Sequence, residues 1–141
     1  FRRVLFRSMQ KLLPHYQYMV VDNEAGMEHI SRGILPKVDT LILVSDCSRR
    51  GVQAAGRIAQ LAKECNLNPS TMGLIVNRAP GGKLNAGTLE EIEQEGLNLL
   101  GVVPHDDLVY EYDCDGKPTV QLPDDSAVRT ALNEIIKKIS L

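Results

Sequence analysis

A chain of 141 residues is long enough for one domain with a single core and too short for two. Its 43% hydrophobic and 24% charged residues fit a globular domain, and a formal net charge of −2 gives no basis for expecting a nucleic-acid partner. Apolar runs such as 41–44 and 97–103 fall short of the ~20 residues that cross a bilayer, so no membrane partner is expected either.

The first eight residues, FRRVLFRS, gather Arg2, Arg3 and Arg7 without entering the pattern that follows. They have neither the apolar stretch nor the small-residue cleavage site of a targeting segment. They resemble the translated end of a sequencing-library adapter, so 1–8 are read as non-native and the natural chain is expected to extend upstream. Short apolar runs then recur at 18–21, 40–44, 72–76 and 99–103, rich in Val, Ile and Leu and without polar alternation. Strands covered by helices on both faces look like this, and each run is predicted to be a buried strand of a parallel sheet.

Residues 49–65 place Val52, Ala55, Ile58, Ala59 and Ala62 on one helical face, and the Asn- and Pro-containing stretch 66–70 ends that helix. Between 78 and 87 the composition turns to loop, with Pro80, Gly81, Gly82 and Gly87 close together. A second helix is predicted over 88–95, with Thr88 as N-cap and Glu91 three residues later. Tyr110, Glu111, Tyr112, Asp113 and Asp115 read as a solvated acidic loop before Gly116-Lys117-Pro118. A last helix over 126–139 carries Val128, Leu132, Ile135, Ile136 and Ile139 on its apolar face. The alternation predicts an α/β fold, a doubly wound, mostly parallel sheet with helices on both faces and ligands at the carboxyl ends of the strands.

Chemistry-bearing residues are therefore sought at strand ends. The first run ends in Asp22, with Gly26 four residues on. An Asp there suits the water shell of Mg²⁺, and a Gly lets its backbone N–H approach a γ-phosphate. The same residues also suit an ordinary turn. The third run ends in Asn77-Arg78, and an amide that both donates and accepts matches the edge of a purine; Asn77 alone would equally end a strand. The fourth ends in Pro104-His105-Asp106, where Pro104 would stiffen a loop against a flat base.

The strings VVDNEAGMEHISRG, LILVSD with RGVQAAGRI, LIVNR and LLGVVPHDDLVYEYDCDGKP resemble the MinD/ParA family of P-loop ATPases, over nearly everything from Tyr18 to Leu141. Asn23-Glu24-Ala25-Gly26 followed by Glu28-His29-Ile30-Ser31-Arg32 is similar to the narrower CooC type, which matures nickel carbon monoxide dehydrogenase. The resemblance implies a dimeric ATPase that closes around ATP and Mg²⁺ between subunits. Asp22 and Gly26 would be catalytic, Asp22 holding Mg²⁺ through water, while Asn77, Arg78, Pro104 and Asp106 would hold the nucleotide. It implies a carbon monoxide dehydrogenase client and a nickel site at an upstream Cys-x-Cys. Neither that motif nor the phosphate-gripping glycine loop is in this sequence, so 9–141 is expected to be the C-terminal part of one P-loop ATPase domain, inactive and poorly soluble alone.

Other residues carry competing readings. His29 beside Glu28 is a metal ligand, a γ-phosphate sensor or an ordinary polar residue. Cys47, Cys65 and Cys114 are odd in number and widely spaced, which fits neither a disulfide framework nor a zinc knuckle and points to a reducing cytoplasm. Cys47 follows a strand end and would face a dimer seam, but a small buried apolar role is favoured over a nickel ligand. A positioning or partition ATPase, or a non-enzymatic remnant of the fold, are the alternative functions; Lys137 and Lys138 beside Glu134 supply only a small basic cluster, which disfavours the membrane-targeting helix of a positioning ATPase.

Overall fold

The computed structural model describes residues 11–23 and 38–139; strand and helix alternate from Thr40 to Cys114, and a further helix follows. The elements are β1 (Thr40–Ser45), α1 (Arg49–Glu64), β2 (Thr71–Ala79), α2 (Ala86–Gln94), β3 (Leu99–Pro104), α3 (Asp107–Cys114) and α4 (Ala127–Ile139). The strands lie in the order β1-β2-β3, all parallel, with Thr40 opposite Thr71 at one end and Ala79 opposite Pro104 at the other.

Successive strand residues face opposite ways, and both faces are apolar. Leu43, Leu74 and Val76 turn to one side, where Val52, Ala55 and Ala59 of α1 and Ile92 of α2 close a core. Burial of side chains such as Val52, Leu74 and Val76 contributes roughly 1.5–3 kcal/mol each. On the opposite side Leu100 and Val103 pack with Val128, Ile135 and Ile139 of α4, and Ile75 joins them. The parallel sheet with helices on both faces follows the pattern expected from the apolar runs. In α1 the predicted face is buried at Val52, Ala55, Ala59 and Ala62, with Ile58 packed at its margin.

Two irregularities shape the sheet. From Leu74 to Ile75 in β2 the partner strand advances from Leu99 to Gly101, so Leu100 is an extra residue. Such a bulge turns neighbouring residues to one side. Leu100 packs in the α4 core, and a Cβ on Gly101 would run into Ile135. The Leu100 carbonyl accepts a hydrogen bond from Lys138 Nζ at 2.9 Å. The second bulge lies between Val76 and Ala79, opposite Val102 and Pro104, and inserts a residue into β2.

Several expectations are corrected. Residues 18–21 form no strand: Tyr18, Val20 and Val21 are exposed and have no ladder partner among the described residues, and a strand is held by its neighbours rather than by apolar content alone. Asn85, not Thr88, caps α2, its side chain accepting the Thr88 N–H at 2.8 Å. Thr88 instead lies buried in the first turn, donating its hydroxyl to the Cys47 carbonyl at 2.8 Å. The acidic stretch 110–115 is mostly helical, within α3, because Asp106 caps it by accepting the Leu108 N–H at 2.9 Å. On α4 only Val128, Ile135 and Ile139 of the predicted face are buried; Leu132 and Ile136 stand exposed.

Candidate functional site

The second bulge decides what stands at the carboxyl edge of the sheet. In a regular strand Asn77 and Arg78 would face opposite sides; with the inserted residue both line one groove. Arg78 takes φ 57°, a left-handed conformation that an arginine rarely adopts. The Asn77 side-chain oxygen accepts the Arg78 N–H at 2.9 Å, holding the turn closed. That bond takes one of the two lone pairs of the amide oxygen and leaves the NH₂ as a donor.

Pro104 and His105 form the facing wall. The His105 N–H donates to the Ala79 carbonyl at 2.9 Å, which ties this loop to the end of β2. His105 Nε2 lies 3.1 Å from Asp107 at the exposed rim. Behind these polar groups the groove is apolar, with Val44, Ile75, Val103 and Val109 among its lining, and encloses about 700 Å³. That is the size and character of a small-molecule site, largely apolar with a few polar groups to fix orientation.

The structure thus brings together Asn77, Arg78, Pro104 and Asp106. Asp106 reaches the groove with one carboxylate oxygen already engaged by the α3 N-cap bond. Asp22 is not with them: it is exposed, outside any strand, and not part of the groove lining. Gly26, Glu28, His29 and Arg32 lie outside the described residues. Among the described residues no group of three or more His, Cys, Asp or Glu stands together to hold a metal ion, and no helix is long and apolar enough to cross a membrane.

Sequence reasoning missed the residues that fix the neighbouring β1–α1 loop. Ser48 caps α1 by accepting the Gly51 N–H at 3.0 Å, while its own N–H and hydroxyl donate to Asp46 at 2.9 and 2.6 Å. The Ser48 hydroxyl, then its N–H, hold the Asp46 carboxyl below its ordinary pKa. A Cβ at Gly51 would run into the Asp46 carboxylate and push it from its place against Ser48. The spacing Asp-x-Ser before an apolar helix was a readable capping signal. Cys47 packs half-buried at the edge of the α1 core, as the small-apolar reading had it. Arg129, also on the groove, bonds the Leu122 carbonyl at 2.6 Å and Asp124 at 2.7 Å, bracing the turn that leads into α4.

No protein-family model matches the chain. Individual proteins do. An uncharacterized ATP-binding protein of Methanocaldococcus jannaschii is 33% identical over 140 residues, covering 96% of this chain and 53% of its own length. The chain is a relative of the MinD/ParA-like P-loop ATPases. The carbon monoxide dehydrogenase accessory protein CooC of Rhodospirillum rubrum is 30% identical over 111 residues, 79% of this chain and 40% of its own. Among solved structures, the septum site-determining protein MinD of Pyrococcus horikoshii, complexed with Mg-ADP, superposes with a TM-score of 0.78 at 19% identity, over 99% of this chain and 56% of that one. This likeness carries the fold: the three parallel strands and their helices are part of the MinD/ParA P-loop architecture. The chain spans about half the length of the curated relatives it matches.

Proposed function

We propose that residues 9–141 are the C-terminal part of an ATP-binding ATPase of the MinD/ParA type, and that the groove at the carboxyl edge of β2 and β3 receives the adenine of ATP. The observation that carries the reading is the bulge that turns both Asn77 and Arg78 into one apolar groove opposite Pro104. The groove residues fit a purine: flat apolar walls for the ring, and the Asn77 NH₂ to donate to a ring nitrogen. Arg78 adds a guanidinium whose plane suits stacking on a base. In this reading the chain's own residues bind and orient the base, while the phosphates, held by residues upstream, supply the reacting bond. Asp22 and Gly26 are assigned to the Mg²⁺ water shell and the γ-phosphate on the resemblance alone.

The finer role proposed is that of an accessory ATPase for nickel insertion into carbon monoxide dehydrogenase, working as a cytoplasmic homodimer with nucleotide at the subunit interface. The CooC relative supports it. A membrane-positioning role is less favoured, because Lys138, half of the small basic cluster on α4, is spent on the Leu100 carbonyl. The test uses the full-length protein. ATP should bind and be hydrolysed, and nickel should bind in stoichiometric amount with a dependence on ATP. A full-length dimer that hydrolyses ATP but holds no nickel would retain the ATPase reading and remove the nickel role. A full-length protein that binds no ATP would remove both.

A further inference from the structure

The wall that α3 contributes to the groove holds one residue that the fold itself does not use. Asp106, Val109, Tyr110 and Asp113 all line the groove, at the i, i+3, i+4, i+7 spacing that puts residues on one face of a helix. Val109 packs against the α4 core, and Asp106 caps the helix. Tyr110 does neither. It is 69% exposed and has no hydrogen bond or ion pair among the described residues. Tyr112, two residues on and off that face, shows a tyrosine in a structural role: its hydroxyl donates to the Gln121 carbonyl at 3.4 Å, and Lys117 Nζ lies 5.6 Å from the centre of its ring. A lone exposed tyrosine is ordinary on a protein surface. Tyr110 is also the only Phe, Tyr or Trp on the groove among the described residues.

Direction matters as much as place. Long side chains on a helix lean toward its N-terminus and cover the turn before their own Cα. For Tyr110 that turn holds Asp106, four residues and about 6 Å back along the axis. Just before it come Pro104 and His105, the loop tied to the end of β2. The preferred direction therefore carries the ring toward the mouth of the groove, where Asn77 and Arg78 stand. We propose that Tyr110 is the base-stacking residue of this site: when a nucleotide enters, the phenol ring lies against the solvent-side face of the purine whose edge Asn77 reads. The inference rests on the reading of the groove as the adenine site and adds a contact to it. Every base has a π-face, so stacking is indifferent to which base is offered. Tyr110 supplies affinity, and Asn77 supplies choice. The base is also the end of the nucleotide remote from the reacting phosphates, so the contact acts on binding and not on the phosphoryl step.

The experiment compares Tyr110→Ala and Tyr110→Phe with the parent in the full-length protein. Tyr110→Ala should raise the Kd for ATP and for ADP alike by about tenfold, and should raise KM by much more than it lowers kcat. Tyr110→Phe keeps the ring and loses only the hydroxyl, so its Kd should stay within about twofold of the parent's. The emission of 1,N6-etheno-ATP, which stacking quenches, should be quenched by the parent and by Tyr110→Phe and left brighter by Tyr110→Ala. The unfolding midpoint should not move in either variant, because the side chain is largely exposed. An unchanged Kd in Tyr110→Ala would overturn the proposal. Equal losses in the two variants would overturn it in favour of the hydroxyl, and a loss that comes with a lowered midpoint would overturn it in favour of a structural role. Asn77→Asp is measured on the same footing: a parent whose ATP affinity falls in Asn77→Asp and not in Tyr110→Ala keeps the adenine reading and loses the stacking role, whereas a parent that binds no ATP removes both.

Discussion

Arg49 sets both its Nε and a terminal nitrogen on one carboxylate oxygen of Glu91, at 2.8 and 2.7 Å, while Gln53 donates to the other oxygen at 2.9 Å. Glu91 is a buried carboxylate on α2, and its partners stand in the first two turns of α1. With Thr88 bonded to the Cys47 carbonyl, α2 thereby grips the start of α1 and the middle of the β1–α1 loop at two points.

A pH dependence follows from this grip. Hydrogen bonds from Gln53, then Arg49, hold the Glu91 carboxyl below its ordinary pKa, so the folded state favours the charged form. A lowered folded pKa contributes stability above the unfolded value of ~4.3, which is lost as pH falls through the lowered folded value. Asp46, lowered by Ser48, acts in the same direction. Thermal unfolding measured from about pH 6 to pH 3 should therefore show a midpoint falling with acid. Glu91→Gln should lower the midpoint at neutral pH and flatten the acid limb; an unchanged acid limb would show that Glu91 carries none of it.

The α4 core makes a packing prediction. A Cβ at Gly101 would meet Ile135, whose side chain is itself pressed among Leu100, Val103 and Val128. Gly101→Ala should destabilise by about 1–3 kcal/mol through overpacking. Ile135→Ala should cost about 2–5 kcal/mol by leaving a cavity. Denaturant unfolding of the double variant should give less than the sum, because the smaller side chain at 135 makes room for the methyl at 101.

Much of the fold was legible because its cause is local or periodic. The unalternated runs at β1, β2 and β3 and the 3.6-residue stripe of α1 are direct consequences of burial on two faces and on one. Residues 18–21 have the same apolar content as β1, but whether such a run becomes a strand depends on a neighbour, which no local pattern records. The site was legible in residue type and not in geometry: Asn77 and Arg78 could be picked out as polar residues after an apolar run, whereas the bulge that aims both at one groove arises from the mismatch of β2 with β3. Thr88 shows the same limit, since its hydroxyl serves the Cys47 carbonyl, a partner 41 residues away in sequence.

The bulge itself can be tested at Arg78. Its φ of 57° costs a side-chain-bearing residue roughly 1–2 kcal/mol, and most for a β-branched one. Arg78→Gly should leave stability nearly unchanged or slightly raised, and Arg78→Val should lower it by about 1–2 kcal/mol, measured by denaturant unfolding. Equal behaviour of the two variants would mean that the turn relaxes without cost.

For recognition of the base, Asn77 is the residue to change. Its oxygen accepts the Arg78 N–H, and its NH₂ is the donor that would meet a purine acceptor. Asn77→Ala removes both bonds and would loosen the bulge as well as the contact, so Asn77→Asp is the sharper variant: it keeps an acceptor for the Arg78 N–H and replaces the outward donor with an acceptor. In the full-length protein Asn77→Asp should weaken ATP binding by about tenfold or more, equivalent to ~1.4 kcal/mol, measured by calorimetry. Its unfolding midpoint should stay close to that of the parent, because the internal bond survives. Loss of affinity with an unchanged midpoint assigns the effect to the base contact, and unchanged affinity would take Asn77 out of the binding site.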